Sequence, residues 1–153
     1  MDMGRWYFTW LLLPLLLAGC LASPARSSLA PGQLDVYDVT LGSSTDYQEI
    51  RGVRGTDEPC LRGYERSFAE LDIVLGYGRD RKIRKITTRN PQNSMFDVHP
   101  GDSAASAVAR LRGAGFVEGA PSRFRKEGLL LTILVDGTGR LFGMTLEEAD
   151  PTD

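Results

Sequence analysis

The thiol of Cys20 is the group whose position in this sequence points most directly to chemistry. It follows Leu17, Ala18 and Gly19 at the end of an apolar run that begins at Trp6. As a helix, this run would reach only about 18 Å, well short of the roughly 30 Å hydrocarbon core of a bilayer. Small residues after a short apolar core are typical of a secretory leader. The spacing therefore predicts a secretory leader that ends beside Cys20.

The residues Leu17-Ala18-Gly19-Cys20 closely resemble the lipobox of bacterial lipoproteins. The resemblance implies that residues 1–19 are removed as a signal peptide and that the sulfur of Cys20 receives a diacylglyceryl group. Further acylation, for example with palmitate, would anchor the chain stably on the extracytoplasmic face of a membrane. In a host with two membranes, Asp directly after the lipidated cysteine would signal retention in the inner membrane. Leu21 at this position instead favours the outer membrane. The alternative is an ordinary secretory leader in which Cys20 is incidental.

Other residues that could do chemistry have plainer interpretations. With Cys20 acylated, Cys60 has no disulfide partner, and we expect a buried or half-buried small residue; a reactive thiol is the alternative. His99 lacks the second His or Cys-x-x-Cys that a metal site needs, so we expect a structural role beside a turn. Ser44 and Ser103 lack a Gly-x-Ser-x-Gly motif and suit the first positions of helices. We therefore expect no catalytic residues, no metal and no cofactor.

A group of cations surrounds one predicted hairpin and faces a single carboxylate, that of Asp80. The group consists of Arg79, Arg81, Lys82, Arg84, Lys85 and Arg89. It could contact anionic lipid headgroups or an acidic partner, or it could be a solvated turn and strand face. The formal net charge of the chain is −2, so no global basic field indicates a nucleic-acid partner.

The elements that must position these residues come in two similar segments. Val36–Ser44 aligns with Met95–Ser103 at an offset of 59 residues, and the hairpin 73–86 aligns with 131–144 at an offset of 58. A fixed period that runs through two features indicates internal duplication.

In the second segment, Asp102 or Ser103 should cap a helix whose buried stripe repeats at helical spacing, and Gly113 and Gly115 should end it. That stripe consists of Ala104, Ala107, Val108 and Leu111. In the first segment, Tyr47, Ile50 and Val53 indicate a thinner helix that Gly52 weakens. Strands should follow near Arg62–Ser67, Leu71–Tyr77, Ile83–Thr88, Ser122–Lys126, Leu129–Val135 and Arg140–Leu146. Asp136–Gly139 should form a hairpin turn rather than a cation or phosphate loop.

These elements predict an α+β fold with two tandem helix-plus-antiparallel-sheet units packed as one domain. The Gly-x-Ser openings at Gly42–Ser44 and Gly101–Ser103, each followed by a short helix and a meander, resemble the β-lactamase-inhibitor-protein-like superfamily. The small lipoprotein of the barrel-assembly machinery is a one-unit relative in that group, whose known activities are binding to other proteins. The predicted segments are a signal peptide at 1–19, a flexible tether at 20–33, repeat units at 34–92 and 93–148, and an acidic tail at 149–153.

The sequence favours a membrane-anchored envelope lipoprotein that binds an extracytoplasmic protein partner without catalysis. A free sheet face or a groove between the units would be the binding surface. One alternative is an inhibitor of a secreted or periplasmic hydrolase, with the Gly101-Asp102 or Asp136–Gly139 loop in the hydrolase active site. Another is a lipid-binding or cell-wall-binding lipoprotein that uses the Arg79–Arg89 patch.

Overall fold

A computed structural model describes residues 33–149, and β-strands dominate this part of the chain. The strands are β1 (Leu34–Asp35), β2 (Glu49–Ile50), β3 (Val53–Arg54), β4 (Thr56–Cys60), β5 (Gly63–Phe68), β6 (Ile73–Gly78), β7 (Ile83–Thr88), β8 (Ser94–Met95), β9 (Val117–Ala120), β10 (Arg123–Lys126), β11 (Leu129–Val135) and β12 (Leu141–Glu148). One α-helix, α1 (Ala104–Gly113), and a 3₁₀ turn at Ala69–Leu71 complete the described elements.

Eight strands form one antiparallel sheet in the order β4-β5-β6-β7-β12-β11-β10-β9. Each half of the sheet is a meander of four strands that are consecutive in the chain. The two halves meet where β7 pairs with β12, with Thr87 opposite Thr145. The short pairs β1–β8 and β2–β3 lie outside this sheet. The centre of the sheet is therefore built from the last strand of each half.

One face of the sheet forms the hydrophobic core. Leu75, Ile86, Leu146 and Leu131 lie opposite one another on β6, β7, β12 and β11, and all four are buried. The other side of the core comes from loops and from α1, through Val36, Val39, Met95, Phe96, Val98, Ala107, Leu111 and Phe116. We call this side of the sheet the core face, since it carries the alternating apolar residues of the strands.

Equivalent backbone features recur in the two halves at the offsets seen in the sequence. The amide of Gly42 donates a hydrogen bond to the carbonyl of Ile83 (2.7 Å), and the amide of Gly101 donates one to the carbonyl of Leu141 (2.6 Å). Asp38 in the first half and Asp97 in the second both have a φ of 62°. The strand register also shifts at equivalent places, after Gly76 in the first half and after Leu134 in the second. The two halves therefore share one backbone arrangement around the centre of the sheet.

The structure confirms the predicted helix of the second segment. The Ser103 hydroxyl accepts a hydrogen bond from the amide of Ser106 (3.2 Å), which caps α1. Ala107 and Leu111 are buried in the core, and the helix ends at Gly113. The predicted strands of both segments are also present as β5, β6, β7, β10, β11 and β12, with bounds that differ by a few residues.

The predicted helix of the first segment is wrong. Its residues form the short hairpin β2–β3, in which Ile50 pairs with Val53. Arg51 and Gly52 have φ values of 49° and 81°, which suit a two-residue hairpin turn and cannot continue a right-handed helix. Ser44 lies in the preceding loop and starts no helix.

The predicted α+β class, with two helix-plus-sheet units, is therefore wrong as well. The described chain is mostly β, with one α-helix and a single eight-stranded antiparallel sheet. The β-branched side chains of Ile50 and Val53 favour extended backbone, and a turn at Gly52 lets them pair with each other. The half of the core face formed by β4 to β7 is consequently covered by loop and hairpin instead of helix.

Candidate binding face

The face of the sheet opposite the core carries a second alternating set of strand residues. Val74, Thr87, Thr132 and Thr145 lie on it and are half-buried, whereas their neighbours along each strand are buried. The helix and loops that fill the core lie on the other side of the sheet. We call this surface the open face, because no element of residues 33–149 packs over it as α1 packs over the core face.

The centre of the open face is polar and partly charged. The hydroxyl oxygens of Thr87 and Thr145 are 3.0 Å apart where the two halves meet. Beside them, Lys85 forms an ion pair with Glu65 and lies opposite Glu147 on β12. Within residues 33–149, Glu147 forms no ion pair. The open face therefore offers hydroxyl groups, a paired cation and a carboxylate to a ligand.

Gly76 explains why Lys85 and Glu65 can meet across β6. Gly76 lies between them in the cross-strand row, and a Cβ there would lie 3.0 Å from the Cβ of Lys85. Without that side chain, the lysine stem crosses the strand and reaches the carboxylate. A side chain at this position would instead crowd the stem against the sheet.

A groove of about 620 Å³ lies at the end of the open face near the β4–β5 turn. Leu61 and Arg62 line it on the side of the turn, Gly76 and Lys85 line it in the middle, and Glu147 lines it on β12. Its volume falls within the range of roughly 300–1,000 Å³ that is usual for ligand sites. Cations and carboxylates both line it, so its electrostatics suit a polypeptide segment with groups of both signs.

The structure does not keep the predicted basic group together on one surface. Lys85 lies on the open face with Glu65. Arg84 lies between Asp80 and Glu148, and its guanidinium is 2.6 Å from the Asp80 carboxylate. Neighbouring carboxylates therefore engage both cations.

These contacts also shift the acidity of the ion-paired groups. The pKa of the Asp80 carboxyl is lowered, first by the hydrogen bond from the Lys82 amide and then by the bond from Arg84. The pKa of Arg84 is raised, mainly by its hydrogen bond to Glu148. Each shift favours the charged form of its group, so the pair is ionised at neutral pH.

The remaining members of the basic group lie elsewhere. Arg79, Arg81 and Lys82 occupy the turn between β6 and β7, where the Arg79 guanidinium donates to the Leu61 carbonyl (3.4 Å). Arg89 lies past the end of β7, with its guanidinium 6.0 Å from the centroid of the Phe142 ring. The turn cations thus lie beside the β4–β5 turn, which the sequence did not associate with them.

A buried cation that sequence reasoning missed lies on the core face. The Arg66 side chain is 8% exposed and donates to the Asp57 carboxylate (2.5 and 2.7 Å) and to Asp46. Its guanidinium lies 5.5 Å and 5.6 Å from the centroids of the stacked Tyr64 and Tyr77 rings. Hydrogen bonds from Arg66 lower the pKa of both carboxyl groups, and burial raises the pKa of both tyrosines.

The arrangement around Arg66 connects two parts of the chain. It joins the loop that contains Asp46 to the edge strand β4 through Asp57. The loop covers the part of the sheet that has no helix in the first half. A signal was present in the sequence, because Arg66 interrupts the apolar positions of a predicted strand, but nothing there indicated its two partners.

The two loops that the inhibitor alternative would use lie side by side. The Arg140 guanidinium donates to the Gly101 carbonyl (2.8 Å), and the Leu141 amide donates to the Asp102 carbonyl (2.9 Å). The Asp136 carboxylate accepts hydrogen bonds from the Thr138 amide and hydroxyl, which confirms the predicted hairpin turn. Inhibition of a hydrolase stays a prediction.

The remaining sequence candidates lie in different places. Cys20 is outside the described residues. Cys60 is exposed at the end of β4, so the expectation of a buried or half-buried residue is wrong. Among the described strands, β4 pairs only with β5, and its other edge is uncovered there. His99 lies beside the 98–102 turn, where its amide donates to the Asp102 carboxylate (2.9 Å). Within residues 33–149, no three metal-ligating side chains form a group, and no helix is long and apolar enough to cross a bilayer.

No family model, curated protein or solved structure matches the chain. The resemblances to bacterial lipoproteins and to the inhibitor-protein-like superfamily thus stay predictions from short motifs. Function has to be inferred from the open face, its groove and the residues at its ends.

Proposed function

We propose that this protein is a membrane-anchored envelope lipoprotein that acts as a non-catalytic protein-binding module. The open face of the eight-stranded sheet is the observation that carries this proposal. Polar and charged groups on a broad sheet face, with a groove at one end, suit recognition of another polypeptide. The partner is an extracytoplasmic protein, because the lipobox-like residues at Cys20 predict export.

The size of the open face is adequate for a specific interface. Eight strands spaced by about 4.8 Å, each about 20 Å long, give a surface of roughly 700 Å². A stable protein–protein interface buries about 800 Å² on each partner. The sheet can therefore supply most of one side of such an interface without rearrangement of its backbone.

The predicted anchor leaves the domain room to meet a partner. Residues 20–33 are rich in small residues and proline, and their extended length is about 45 Å. A lipid-bound Cys20 would therefore hold the sheet near the bilayer without fixing its orientation.

Replacement of the proposed lipidation residue tests the anchor. Cys20→Ser should abolish incorporation of labelled palmitate and leave an uncleaved precursor, whereas Cys60→Ser should leave labelling unchanged. Both outcomes can be measured by metabolic labelling and mass spectrometry of the amino-terminal peptide. Labelling that persists in the Cys20→Ser chain would overturn the assignment.

Crosslinking in intact cells tests the binding function. A long side chain in the Thr87→Arg variant would stand on the centre of the open face, and we expect it to reduce recovery of the crosslinked partner at least tenfold. The matched control is Ala105→Arg, which places the same side chain on the exposed side of α1. Equal recovery of the partner from both variants would contradict binding at the open face.

A further inference from the structure

Two turns lie next to each other at one end of the sheet. The β4–β5 turn contains Leu61 and Arg62, and the β6–β7 turn spans residues 79–82. They are adjacent because Gly63 pairs with Gly78 at the start of β5 and the end of β6. A Cβ on Gly63 would lie 2.1 Å from the Tyr77 carbonyl oxygen, so glycine is needed for this close approach. We call these two turns the paired tips.

The paired tips carry four cations that lack carboxylate partners among the described residues. Arg62, Arg79 and Arg81 are exposed and Lys82 is half-buried. The one carboxylate in these turns, Asp80, is engaged by Arg84 at 2.6 Å. In a chain whose formal net charge is −2, this concentration makes the paired tips a local positive pole.

Leu61 adds an apolar side chain at the same place. It is 94% exposed, and it occupies a two-residue hairpin turn, where polar residues and glycine are usual. A shallow depression lies between the two tips and is bordered by Leu61, Arg62, Arg79 and Arg84 among others. An exposed leucine beside unpaired cations is suited to a surface whose anionic groups lie above an apolar layer. The cations would contact the anionic groups, and the leucine would enter the layer.

We propose that the paired tips dock on an anionic bilayer surface, with the Leu61 side chain in the apolar layer and the four cations against lipid phosphates. The contact goes beyond the protein-binding function proposed above, and it does not require acylation of Cys20. β7 starts at Ile83, beside the paired tips. β12 runs antiparallel to β7, so its start at Leu141, next to the 136–139 turn, lies at the opposite end of the sheet. Docking therefore places the 136–139 turn away from the bilayer.

Charge and apolar contact both contribute to this docking. Each lysine or arginine close to an anionic surface is worth about 1 kcal/mol, which is a change of about fivefold in the ratio of docked to undocked protein. Loss of the leucine side chain from the apolar layer should lower that ratio by about tenfold or more. Replacement of Leu61 or of the tip cations should leave the core intact, because these side chains project from turns.

An environment-sensitive fluorophore on Cys60 can report docking directly. The full chain with Cys20→Ser has Cys60 as its one thiol, and Cys60 precedes Leu61. The matched control probe is placed by Thr138→Cys in a chain that also carries Cys20→Ser and Cys60→Ser. Emission is measured on phosphatidylcholine vesicles with and without phosphatidylglycerol. Both chains carry Cys20→Ser and should therefore keep the apolar residues 6–17, which we expect to hold them on either kind of vesicle. A difference in emission between the two probes therefore reports contact of the tips with the bilayer.

With phosphatidylglycerol, the Cys60 probe should shift to the blue and the Thr138 probe should not. Leu61→Ser, and Arg79→Gln with Arg81→Gln, should each remove most of the shift, and high salt should reverse it. Arg123→Gln, which neutralises an exposed arginine on β10, should leave it unchanged. The proposal is overturned if the Cys60 probe does not respond to phosphatidylglycerol, if both probes respond equally, or if the tip variants respond like the parent chain.

Discussion

Replacement of Arg66 by methionine should destabilise the fold in a manner that depends on pH. Methionine keeps an unbranched apolar stem against Tyr64 and Tyr77 but removes the charge that binds Asp46 and Asp57. The arginine side chain is 8% exposed, while the two carboxylates are 51% and 49% exposed. The carboxylates left behind by the substitution can therefore be hydrated.

The exposure of these groups sets the size of the effect. A hydrogen bond to a charged group contributes about 1.5–3 kcal/mol when it is buried, and an exposed ion pair contributes about 0.2–1 kcal/mol. The two pairs of Arg66 lie between these limits because solvent screens only the carboxylate side. We expect the free energy of unfolding at neutral pH to fall by about 2 kcal/mol in Arg66→Met.

The sign of the pH dependence follows from the lowered pKa of both carboxyl groups. Their contribution is fully present above the ordinary carboxyl pKa of about 3.9. It is lost as pH falls through the lower folded-state values, because protonation removes the negative charge. The stability difference between the parent chain and Arg66→Met should therefore be largest at neutral pH and should shrink as the pH falls below about 3.9 towards about pH 2.

Urea unfolding followed by far-ultraviolet circular dichroism can measure this difference at both pH values. Asp57→Asn provides a second test. It should lower the free energy of unfolding of the parent chain, and it should lower that of the Arg66→Met variant much less. If the difference between the parent chain and Arg66→Met is the same at both pH values, Arg66 stabilises by packing, and the electrostatic reasoning is refuted.

Three other substitutions, with Gly137→Ala as the control for the third, test how the elements are held. Ser103→Ala removes the cap of α1 and should cost about 1 kcal/mol in urea unfolding; an unchanged midpoint would show that the cap is not needed. Leu131→Ala, in the centre of the core, should cost about 2–5 kcal/mol, and a smaller loss would mean that the core collapses around the cavity. Gly63→Ala should strongly reduce the yield of folded protein because of its contact with the Tyr77 carbonyl. Gly137→Ala, where a Cβ meets nothing within 4 Å, should be tolerated.

The central hairpins of the sheet could be predicted from sequence because each has a strong local signal. Leu129–Val135 is a nearly continuous apolar run, and Asp136–Gly139 supplies the turn that joins it to β12. The apolar stripe of α1 repeats at helical spacing after a capping serine, so its type was also clear. In both places the local backbone preference and the tertiary packing agree.

The edge strands could not be found in this way. β4 (Thr56–Cys60) and β9 (Val117–Ala120) are exposed at every position, so neither has an apolar alternation. Pro59 argues against a central strand and is compatible with an edge. Only the pairing of β4 with β5 and of β9 with β10 makes these segments strands, and pairing is not visible in local sequence.

The helix predicted for the first segment is wrong for a related reason. The spacing of Tyr47, Ile50 and Val53 fits a helix, but the same residues also fit a short hairpin with a turn at Gly52. The candidate binding face was anticipated only in outline, as a free sheet face. Its groove and the paired tips depend on which turns become neighbours, and the order of the strands determines that.

A photo-reactive amino acid on the open face provides the most direct test of protein binding. Placed at Thr132 on β11, it should crosslink a single discrete partner in intact cells, while the same group at Ala105 on α1 should not. Crosslinking from Ala105 but not from Thr132, or from neither position, would contradict the proposal that the open face is the binding surface.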